Sequence, residues 1–519
     1  MSCFSTSYMD ARGRFLQACA ASGAAIVSHR HPLPGPDGSP LFLDEARLGS
    51  PAARRILFIA SGTHGIEGLC GSGIQTALLQ TGLAARLPAD VAVVLVHAVN
   101  PWGFAWLRRV NEDNVDINRN FLDFHAPLPE NPDYDALYDA VNPSRLDDNA
   151  VTAFVEAVRQ FELEHDSIAV YRALSGGQYR HPRGVQYGGA APVWSNRVLR
   201  EIWARHTQQA ELAAFVDLHS GLGPRAVGML LQTAPADSTA AQLAQQWWPD
   251  TIRSQPAEGS DAALVSGLIG PAFVAAHPAA VALGIVLEFG TIDVSRVMLA
   301  IQADNWLHHH GRRDSDTGRA IERQMREAFF LEDADWQTAV CERARVVIGA
   351  ALDGAAAFSA PSSERRGVRV RAAEARDSDV LVELARAMAR ETEDRELDRE
   401  TVRAGIEALL ADPNRGRVFV VEADGETVAT LALTLEWSDW RNGFFWWIQS
   451  VYVEPAHRRR GHYRRLHRHV EALAAADPDV FGLRLYVERE NVNAQTTYRA
   501  LGMHETPYRL YEQATRHRS

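Results

Sequence analysis

The sequence predicts an α/β protein of two domains, and three observations support this fold class. The chain has 519 residues, which is more than one hydrophobic core usually organises. Its first part alternates apolar strand-like runs with helical stretches, a pattern typical of a largely parallel sheet buried on both faces. A small, polar, Pro-containing segment then precedes an alternating strand. We expect a first domain at 1–353, a linker at 354–367 and a second domain at 368–519.

The composition is that of a soluble enzyme. Hydrophobic residues make up 46% of the chain and charged residues 23%, which is ordinary for globular proteins. The formal net charge of -12 argues against a general nucleic-acid binder. The sequence shows no signal-peptide pattern and no apolar stretch of membrane-spanning length. We expect a cytoplasmic enzyme that acts on small amino-acid-like or peptide-like molecules, without nucleic-acid or membrane partners, and its oligomeric state stays open.

The cysteines give no sign of a disulfide framework or of a thiolate zinc site. They lie far apart along the chain, and no CxxC pair occurs. Their positions are Cys3, Cys19, Cys70 and Cys341.

Polar side chains stand at the ends of predicted strands in the first domain. Four apolar runs predict these strands, at 55–60, 91–99, 213–219 and 284–289. His64 and Glu67 follow the first run on a Gly-rich turn, His219 ends the third and Glu288 the fourth. Ligands of open α/β sheets bind beyond the carboxyl ends of strands. We therefore expect these four groups to meet.

These residue types suit a catalytic zinc site. Two imidazoles and one carboxylate leave the fourth zinc position for water, whose pKa then falls toward ~7. A further carboxylate, for which Glu288 is the candidate, can shuttle protons to the leaving amine. Any one of these residues alone is more often structural. The joint pattern favours a metal.

Five motifs then show a family resemblance for the first domain. They are GTHGIEG, NP.G, R..N....VDINRNF, DLHSG and LEFG, and they occur in this order over about residues 61–291. This part resembles the zinc carboxypeptidase superfamily, especially the branch near succinylglutamate desuccinylase and aspartoacylase. The resemblance implies an α/β/α sandwich with a mostly parallel mixed sheet. It also implies zinc bound by His64, Glu67 and His219, with Glu288 as general base and acid.

The resemblance also implies roles for polar residues of the third motif. Arg109 would polarise the scissile carbonyl and stabilise the oxyanion, while Asn118 and Arg119 would grip a substrate carboxylate. A planar guanidinium suits both tasks. Arg108 is an alternative to Arg109, because the arginine doublet leaves the register open. Asp217 and Ser220 flank His219, in either a ligand-orienting or a structural role.

One departure from the superfamily leaves the specificity open. Classical carboxypeptidases carry a substrate-capping tyrosine between the third zinc ligand and the catalytic glutamate, and none occurs between His219 and Glu288. Tyr179 and Tyr187 are substitutes suggested by sequence alone. We expect either a deacylase or a peptidase for an unusual small amide.

The second domain is predicted to begin with a strand and two helices, which a hairpin with an Asp424-Gly425 turn follows. A strand at 446–455 follows, and then a turn with glycine and arginines opens a helix. This order directs backbone N–H groups at a pyrophosphate. A solvated basic helix face is the alternative.

Two motifs of this domain resemble the GNAT acetyltransferases, over about residues 368–512. R-x-x-G-x-G/A matches Arg458 and Gly461, with Tyr463 in place of the small residue, and N-x-x-A-x-x-x-Y-x-x-x-G matches from Asn491 through Tyr498. The resemblance implies a GNAT fold that binds acetyl-CoA in a splayed gap between two strands. Tyr498 would protonate the leaving thiolate, although packing on the sheet is its other interpretation. The implied cofactor-binding residues are Val451, Val453, Arg458, Arg459, Arg460, Gly461, His462, Tyr463, Arg464 and Asn491.

The sequence thus predicts a bifunctional enzyme with zinc and acetyl-CoA as cofactors. One half would hydrolyse an amide bond next to a carboxylate in a small peptide or N-acyl amino acid, and the other would acetylate an amine. Glu436 and Gln449 are candidates for the general base of the transferase, without a motif behind them. The alternative is a first domain that is a non-catalytic ligand-binding module serving an active acetyltransferase.

Overall fold

The chain divides into two compact units, Met1–Ala360 and Pro361–Ser519. The computed structural model describes residues 3–232, 234, 238–249, 252–254, 265–277, 280–358, 368–393, 395–423, 425–458, 461–487, 491–506 and 508. Residues 359–367 of the predicted linker and Asp424 of the predicted turn lie outside the described residues. Within the described ranges, no helix is both long enough and apolar enough to cross a bilayer.

The first unit is built on an eight-stranded mixed sheet. Its strands, in chain order, are β1 (Ala25–Pro34), β2 (Pro40–Leu48), β3 (Arg55–Ser61), β4 (Val91–His97), β5 (Leu212–Arg225), β6 (Gly228–Gln232), β7 (Ile252–Ser254) and β8 (Val281–Gly290). The order across the sheet is β1-β2-β4-β3-β5-β8-β6-β7. The four central strands β4, β3, β5 and β8 are parallel, and β2 and β6 flank them antiparallel. The predicted α/β class and its four strands are confirmed.

Helices cover both faces of this sheet. They are α1 (Tyr8–Ala21), α2 (Gly68–Gln80), α3 (Pro101–Ala105), α4 (Pro132–Val141), α5 (Asp148–Glu164), α6 (Ser167–Ser175), α7 (Trp194–Thr207), α8 (Thr239–Trp247), α9 (Ile269–Ala276), α10 (Val294–His310), α11 (Asp316–Phe329) and α12 (Ala334–Ala357). Short 3-10 turns lie at Ala84–Arg86, Gly65–Glu67 and Ile117–Arg119.

The alternation of side chains along β3 explains why its sequence is apolar throughout. Leu57 and Ile59 join the core under α1, α2 and α12, whereas Ile56 and Phe58 join the core under α7 and α9. Successive residues of a strand point to opposite faces, and both faces are covered here. The carboxyl ends of the central strands remain the open edge at which polar groups gather.

Helix α12 extends into the segment predicted as linker. It continues to Ala357, because the alanines that follow Gly354 favour helix. Gly354 itself faces Trp247, and a Cβ there would lie 2.3 Å from the indole Nε1. Packing against the tryptophan therefore holds the last turn in place.

The second unit has a five-stranded sheet in the order β13-β12-β11-β10-β9. Its strands are β9 (Arg369–Ala372), β10 (Arg417–Ala423), β11 (Glu426–Ser438), β12 (Gly443–Val453) and β13 (Val480–Arg484). Its helices are α13 (Ser378–Glu393), α14 (Arg399–Ala411), α15 (His462–Ala476) and α16 (Val492–Ala500), with 3-10 turns at Ala375–Asp377 and Pro455–His457.

The last two strands of this sheet, β12 and β13, pair over only part of the length of β12. β12 pairs parallel with β13 through residues 444–447, and β12 then continues to Val453 while β13 ends at Arg484. Val451 and Val453 therefore lie beyond the part of β12 that pairs with β13. The predicted hairpin is also present, as the β10–β11 pair, with Gly425 at φ 90°.

Candidate functional site

The predicted metal ligands converge at the carboxyl ends of β3, β5 and β8. His64 has extended backbone and precedes the 3-10 turn that ends with Glu67. His219 lies on β5 directly opposite Glu288 on β8. Position 65 in this turn requires glycine, because a Cβ there would fall 2.1 Å from the Gly103 carbonyl carbon.

Three of these residues present ligand atoms to one point. The ligand atoms of His64, Glu67 and His219 all lie within 4.8 Å of one another, and all three side chains are buried. His64 Nδ1 is 2.8 Å from Glu67 Oε1 and 3.2 Å from His219 Nδ1. His219 Nδ1 is 3.0 Å from Glu67 Oε2. Among the described residues, no other group of three or more potential ligands is this close.

The second nitrogen of each imidazole faces a buried carboxylate. Asp217 Oδ2 lies 2.8 Å from His219 Nε2, and Asp116 Oδ1 lies 3.1 Å from His64 Nε2. Thr63 Oγ1 donates to both Asp217 oxygens, at 2.8 and 3.0 Å. A carboxylate in this position favours the tautomer in which Nδ1 is free to bind a metal, and Asp217 stands so behind His219; His64 Nε2 is shared between Asp116 and Arg109. Of the two roles that the sequence left open for Asp217, this contact with His219 favours the ligand-orienting one.

The electrostatics of the cluster keep its carboxylates charged. Burial raises the pKa of Glu67, but the two imidazoles overcome burial and hold that pKa well below its usual range. Burial likewise raises the pKa of Asp116, and the adjacent Arg109 and His64 lower it much further. Anionic ligand and anionic support are what a divalent cation requires.

Glu288 differs from these carboxylates. Burial, together with the charge of Glu67, raises the pKa of Glu288 to about 8. Its Oε1 accepts a hydrogen bond from the Leu222 N–H at 3.1 Å. The side chain lines a cavity of about 100 Å³ with His64, His219 and Arg109, which places a proton-exchanging group beside the ligand cluster.

The structure separates the two arginines between which the sequence could not choose. Arg109 Nη2 lies 2.8 Å from His64 Nε2, and its Nη1 donates to Asp116. Arg108 instead pairs with Asp304 through Nε at 2.9 Å and does not line the cavity. Arg109 is therefore the arginine of the doublet that lines the cavity, and its role toward the substrate stays a prediction.

Asn118 and Arg119 also line the cavity. Asn118 Oδ1 accepts a hydrogen bond from the Ile269 N–H at 3.0 Å, and this contact fixes the orientation of its side-chain amide. Arg119 donates Nε and Nη2 to the Ser175 carbonyl oxygen and Nη1 to the Asn118 carbonyl oxygen. Three of its five N–H groups serve backbone oxygens, so its grip on a substrate carboxylate stays a prediction that rests on the other two.

The tyrosine at the cavity is one that sequence reasoning missed. Tyr171 on α6 lines the cavity and is 38% exposed. Tyr179 instead donates its hydroxyl to the Arg119 carbonyl oxygen at 2.7 Å, and Tyr187 offers its carbonyl oxygen to the Asp116 N–H. Neither lines the cavity. No sequence motif marks Tyr171, since it lies on a helix distant from the other motifs.

In the second unit, the helix that follows β12 along the chain is α15, and its N-terminus is the predicted pyrophosphate site. Gly461 precedes α15 with φ 76°, and the first helical hydrogen bond joins the Arg465 N–H to the Gly461 carbonyl oxygen. The amides of His462, Tyr463 and Arg464 precede that bond, where N–H groups lack helical acceptors. Arg459 and Arg460 lie outside the described residues.

Arg458 is held by a carboxylate that the sequence did not single out. Its Nη1 and Nη2 donate to the two Glu391 oxygens at 2.5 and 2.6 Å, and its Nε donates to the Val453 carbonyl oxygen at 2.9 Å. Tyr452 also donates to Glu391, at 3.1 Å. Arg458 thus connects α13 to the end of β12.

The candidate acid of the transferase is a half-buried phenol. Burial raises the pKa of Tyr498 above its usual value, so its hydroxyl is protonated at neutral pH. Asn491 caps α16 by accepting from the Ala494 N–H, and this fixes the start of the helix that carries Tyr498. The rings of Tyr498 and Tyr463 meet edge-on with centroids 5.7 Å apart.

The two candidate bases are engaged with neighbours. Glu436 accepts from Arg484 Nη1 at 2.7 Å, and Gln449 Nε2 donates to the Tyr486 hydroxyl at 3.2 Å. Neither assignment as a base is supported by these contacts.

Two families match this chain. The family described as "Protein of unknown function (DUF2817)" matches residues 4–343, and the "Acetyltransferase (GNAT) family" matches residues 379–503. The C-terminal unit is therefore a GNAT acetyltransferase domain, which uses acetyl-CoA and transfers its acyl group to small-molecule acceptors such as amines. Comparison with curated proteins finds no match.

Solved acetyltransferase structures resemble the C-terminal part of the chain. A possible acetyltransferase from Clostridium difficile 630 is 41% identical over 29% of this chain and 99% of its own, with a TM-score of 0.28. A putative acetyltransferase from Agrobacterium tumefaciens str. C58 is 26% identical over 28% of this chain and 99% of its own, with a TM-score of 0.25. An aminoglycoside antibiotic 6'-N-acetyltransferase from Acinetobacter haemolyticus is 20% identical over 29% of this chain and 99% of its own, with a TM-score of 0.24.

Proposed function

We propose that this chain, which belongs to the DUF2817 family and continues into a GNAT acetyltransferase domain, is a bifunctional enzyme. Its first unit is a zinc-dependent amidohydrolase. Its substrate would be a small peptide or an N-acyl amino acid, cleaved at an amide bond next to a carboxylate. The second unit acetylates an amine with acetyl-CoA.

One observation carries the proposal for the first unit. Two Nδ1 atoms and one carboxylate meet at a point, and a buried carboxylate stands behind each imidazole. Two histidines and one acidic residue are the protein ligands of many catalytic zinc sites, which keep a further position open.

The residues present fit zinc and the chemistry of amide hydrolysis. A bound zinc ion would supply a water of lowered pKa and polarise the substrate carbonyl. Glu288, in its ionised carboxylate form, accepts a proton and returns it to the leaving amine. Arg109, fixed by Asp116, presents its guanidinium beside His64 to the carbonyl oxygen, where negative charge develops.

The lining of the cavity bears on the charge of the substrate. The guanidinium groups of Arg109 and Arg119 lie in its wall and favour a carboxylate. Both an N-acyl amino acid and a short peptide meet this requirement, so deacylase and carboxypeptidase remain the two versions of the proposal.

The acetyltransferase residues divide into those that hold the cofactor and one that moves a proton. Acetyl-CoA supplies the activated thioester. The strand segment at Val451 and Val453 offers backbone groups to the pantetheine arm, and the first turn of α15 offers N–H groups to the diphosphate. Tyr498 holds the proton that the departing sulfur needs.

A direct experiment combines metal analysis with a substrate screen. We expect the purified full-length chain to hold one zinc ion, and expect it to release free amino acids from a library of N-acyl amino acids and dipeptides. Glu288→Gln should keep the zinc and lose the release, while acetyl-CoA consumption with amine acceptors stays unchanged. A chain that binds no zinc, together with unchanged ligand binding in Glu288→Gln, would instead favour the non-catalytic binding module.

A further inference from the structure

Two cysteines far apart in sequence lie side by side in the first unit. Cys3 Sγ and Cys341 Sγ are 3.9 Å apart although 338 residues separate them. Cys3 precedes α1, and Cys341 lies on α12. Packing positions the segment of Cys3. The next residue, Phe4, packs against Phe330 with tilted rings whose centroids are 5.7 Å apart, and its ring also contacts Gly73 of α2.

The pair differs from the other two cysteines in exposure, and Cys3 alone differs in acidity, because the hydrogen bond with Cys3 and burial raise the pKa of the Cys341 thiol. Cys3 and Cys341 are partly exposed, whereas Cys19 and Cys70 are buried. The hydrogen bond from Cys341 lowers the pKa of the Cys3 thiol to about 7 against the effect of burial. Burial raises the pKa of Cys19 to about 12 and that of Cys70 well above its usual value. The thiolate is the reactive form, so reactivity is concentrated at Cys3.

We propose that Cys3 and Cys341 form a thiol-oxidation site, which a low-molecular-weight disulfide such as oxidised glutathione converts into an intramolecular disulfide. The Cys3 thiolate attacks the glutathione disulfide, forms a mixed disulfide and releases one glutathione thiolate. Cys341 gives its proton to water and attacks the Cys3 sulfur, which releases the second glutathione. Two protein thiols are oxidised and one glutathione disulfide is reduced to two thiols.

The geometry suits this second step. The two sulfurs must approach from 3.9 Å to a bond length of about 2.0 Å, so they start within about 2 Å of the bonded distance. The competing attack by a second glutathione is bimolecular, whereas Cys341 already stands beside its target. Closure of the ring is therefore faster than build-up of the mixed disulfide.

The disulfide would link α12 to the segment before α1. It would join α12 to the segment that packs on α2, and Glu67 is the residue that caps the start of α2. A cross-link that closes so long a loop removes entropy from the unfolded chain. We expect the melting temperature of the first unit to rise by on the order of 5–10 °C.

The test uses the full chain, reduced, freed of reductant and exposed to oxidised glutathione under native conditions. The intact mass should fall by about 2 Da, and peptide mapping without reductant should show Cys3 linked to Cys341, reversibly by dithiothreitol. Cys341→Ser should instead retain one glutathionyl group on Cys3. Cys19→Ala is the matched control and should behave like the unsubstituted chain.

A second measurement needs no variant. Limiting iodoacetamide at pH 7 should label Cys3 before the other three cysteines, and this labelling should block the mass loss. Failure to find the Cys3–Cys341 peptide in the folded chain, or linkage of either residue to a different cysteine, would overturn the proposal. So would labelling of Cys19 or Cys70 ahead of Cys3.

Discussion

Asp217 provides a sharp test of the metal site, because it touches a proposed ligand without being one. Its Oδ2 lies 2.8 Å from His219 Nε2, and Thr63 holds both of its oxygens. Asp217→Asn keeps the shape of the side chain and removes its charge. His219 should then become a weaker and less well oriented donor toward a cation.

The expected loss follows from these contacts. Removal of a carboxylate behind a ligating histidine typically weakens metal binding 10- to 100-fold, which corresponds to about 1.4–2.7 kcal/mol. His219 is buried, so water cannot easily replace the lost partner. Thr63→Val removes only the hydroxyl that orients Asp217, and we expect a smaller loss, about twofold to fivefold.

Competition with a chromogenic zinc chelator measures the affinity directly and needs no substrate. Asp135→Asn is the matched control, because Asp135 Oδ1 also lies 2.7 Å from a histidine nitrogen, Nε2 of His181, outside the ligand cluster. That variant should bind zinc like the unsubstituted chain. Equal affinities for the unsubstituted chain and Asp217→Asn, or equal losses in Asp217→Asn and Asp135→Asn, would refute the reasoning.

Three further predictions follow from the described contacts. Glu288→Gln should lower kcat for hydrolysis by about 10²- to 10⁴-fold without loss of bound zinc, measured by amino-acid release and metal analysis; unchanged kcat would contradict its role. Tyr498→Phe should lower kcat for acetyl transfer by about 10²-fold with the Kd for coenzyme A unchanged by calorimetry, and a matching loss of coenzyme A binding would instead indicate a packing role. Burial lowers the pKa of His97 from 6.5 to about 4, so the unfolded chain takes up a proton between these pH values that the folded chain refuses. Stability should therefore fall as pH drops from 6.5 to 4, by up to about 3 kcal/mol from this group, and urea titrations of His97→Gln should show a shallower fall; an unchanged slope would exclude this group as the cause.

Much of the fold could be predicted because its signals are local. The continuous apolar runs of β3 and β4 require a sheet covered on both faces, and Leu57 and Phe58 do enter cores on opposite sides. The turn after β10 carries Gly425 at positive φ, which glycine adopts at little cost. The end of α12 was harder to predict, because Gly354 is kept in the helix by contact with Trp247, a residue more than 100 positions away.

The candidate sites divide in the same way. The sequence named the three candidate ligands and Glu288, since each stands at the end of a predicted strand and parallel strands end at one edge. It could not name Tyr171 or Glu391, which reach their sites from helices without a motif. Nor could it show that Cys3 and Cys341 are neighbours, because nothing in their spacing brings them together.

The sequence by itself determined which elements form and which residue types stand at their ends, because periodicity, turn chemistry and motifs act over a few residues. Only the tertiary structure decided that Arg109 faces His64 while Arg108 pairs with Asp304, that Asp217 supports His219, and that Arg458 binds Glu391. The partner of each of these side chains depends on how separate elements pack against one another. No local sequence pattern encodes the distances that this packing sets.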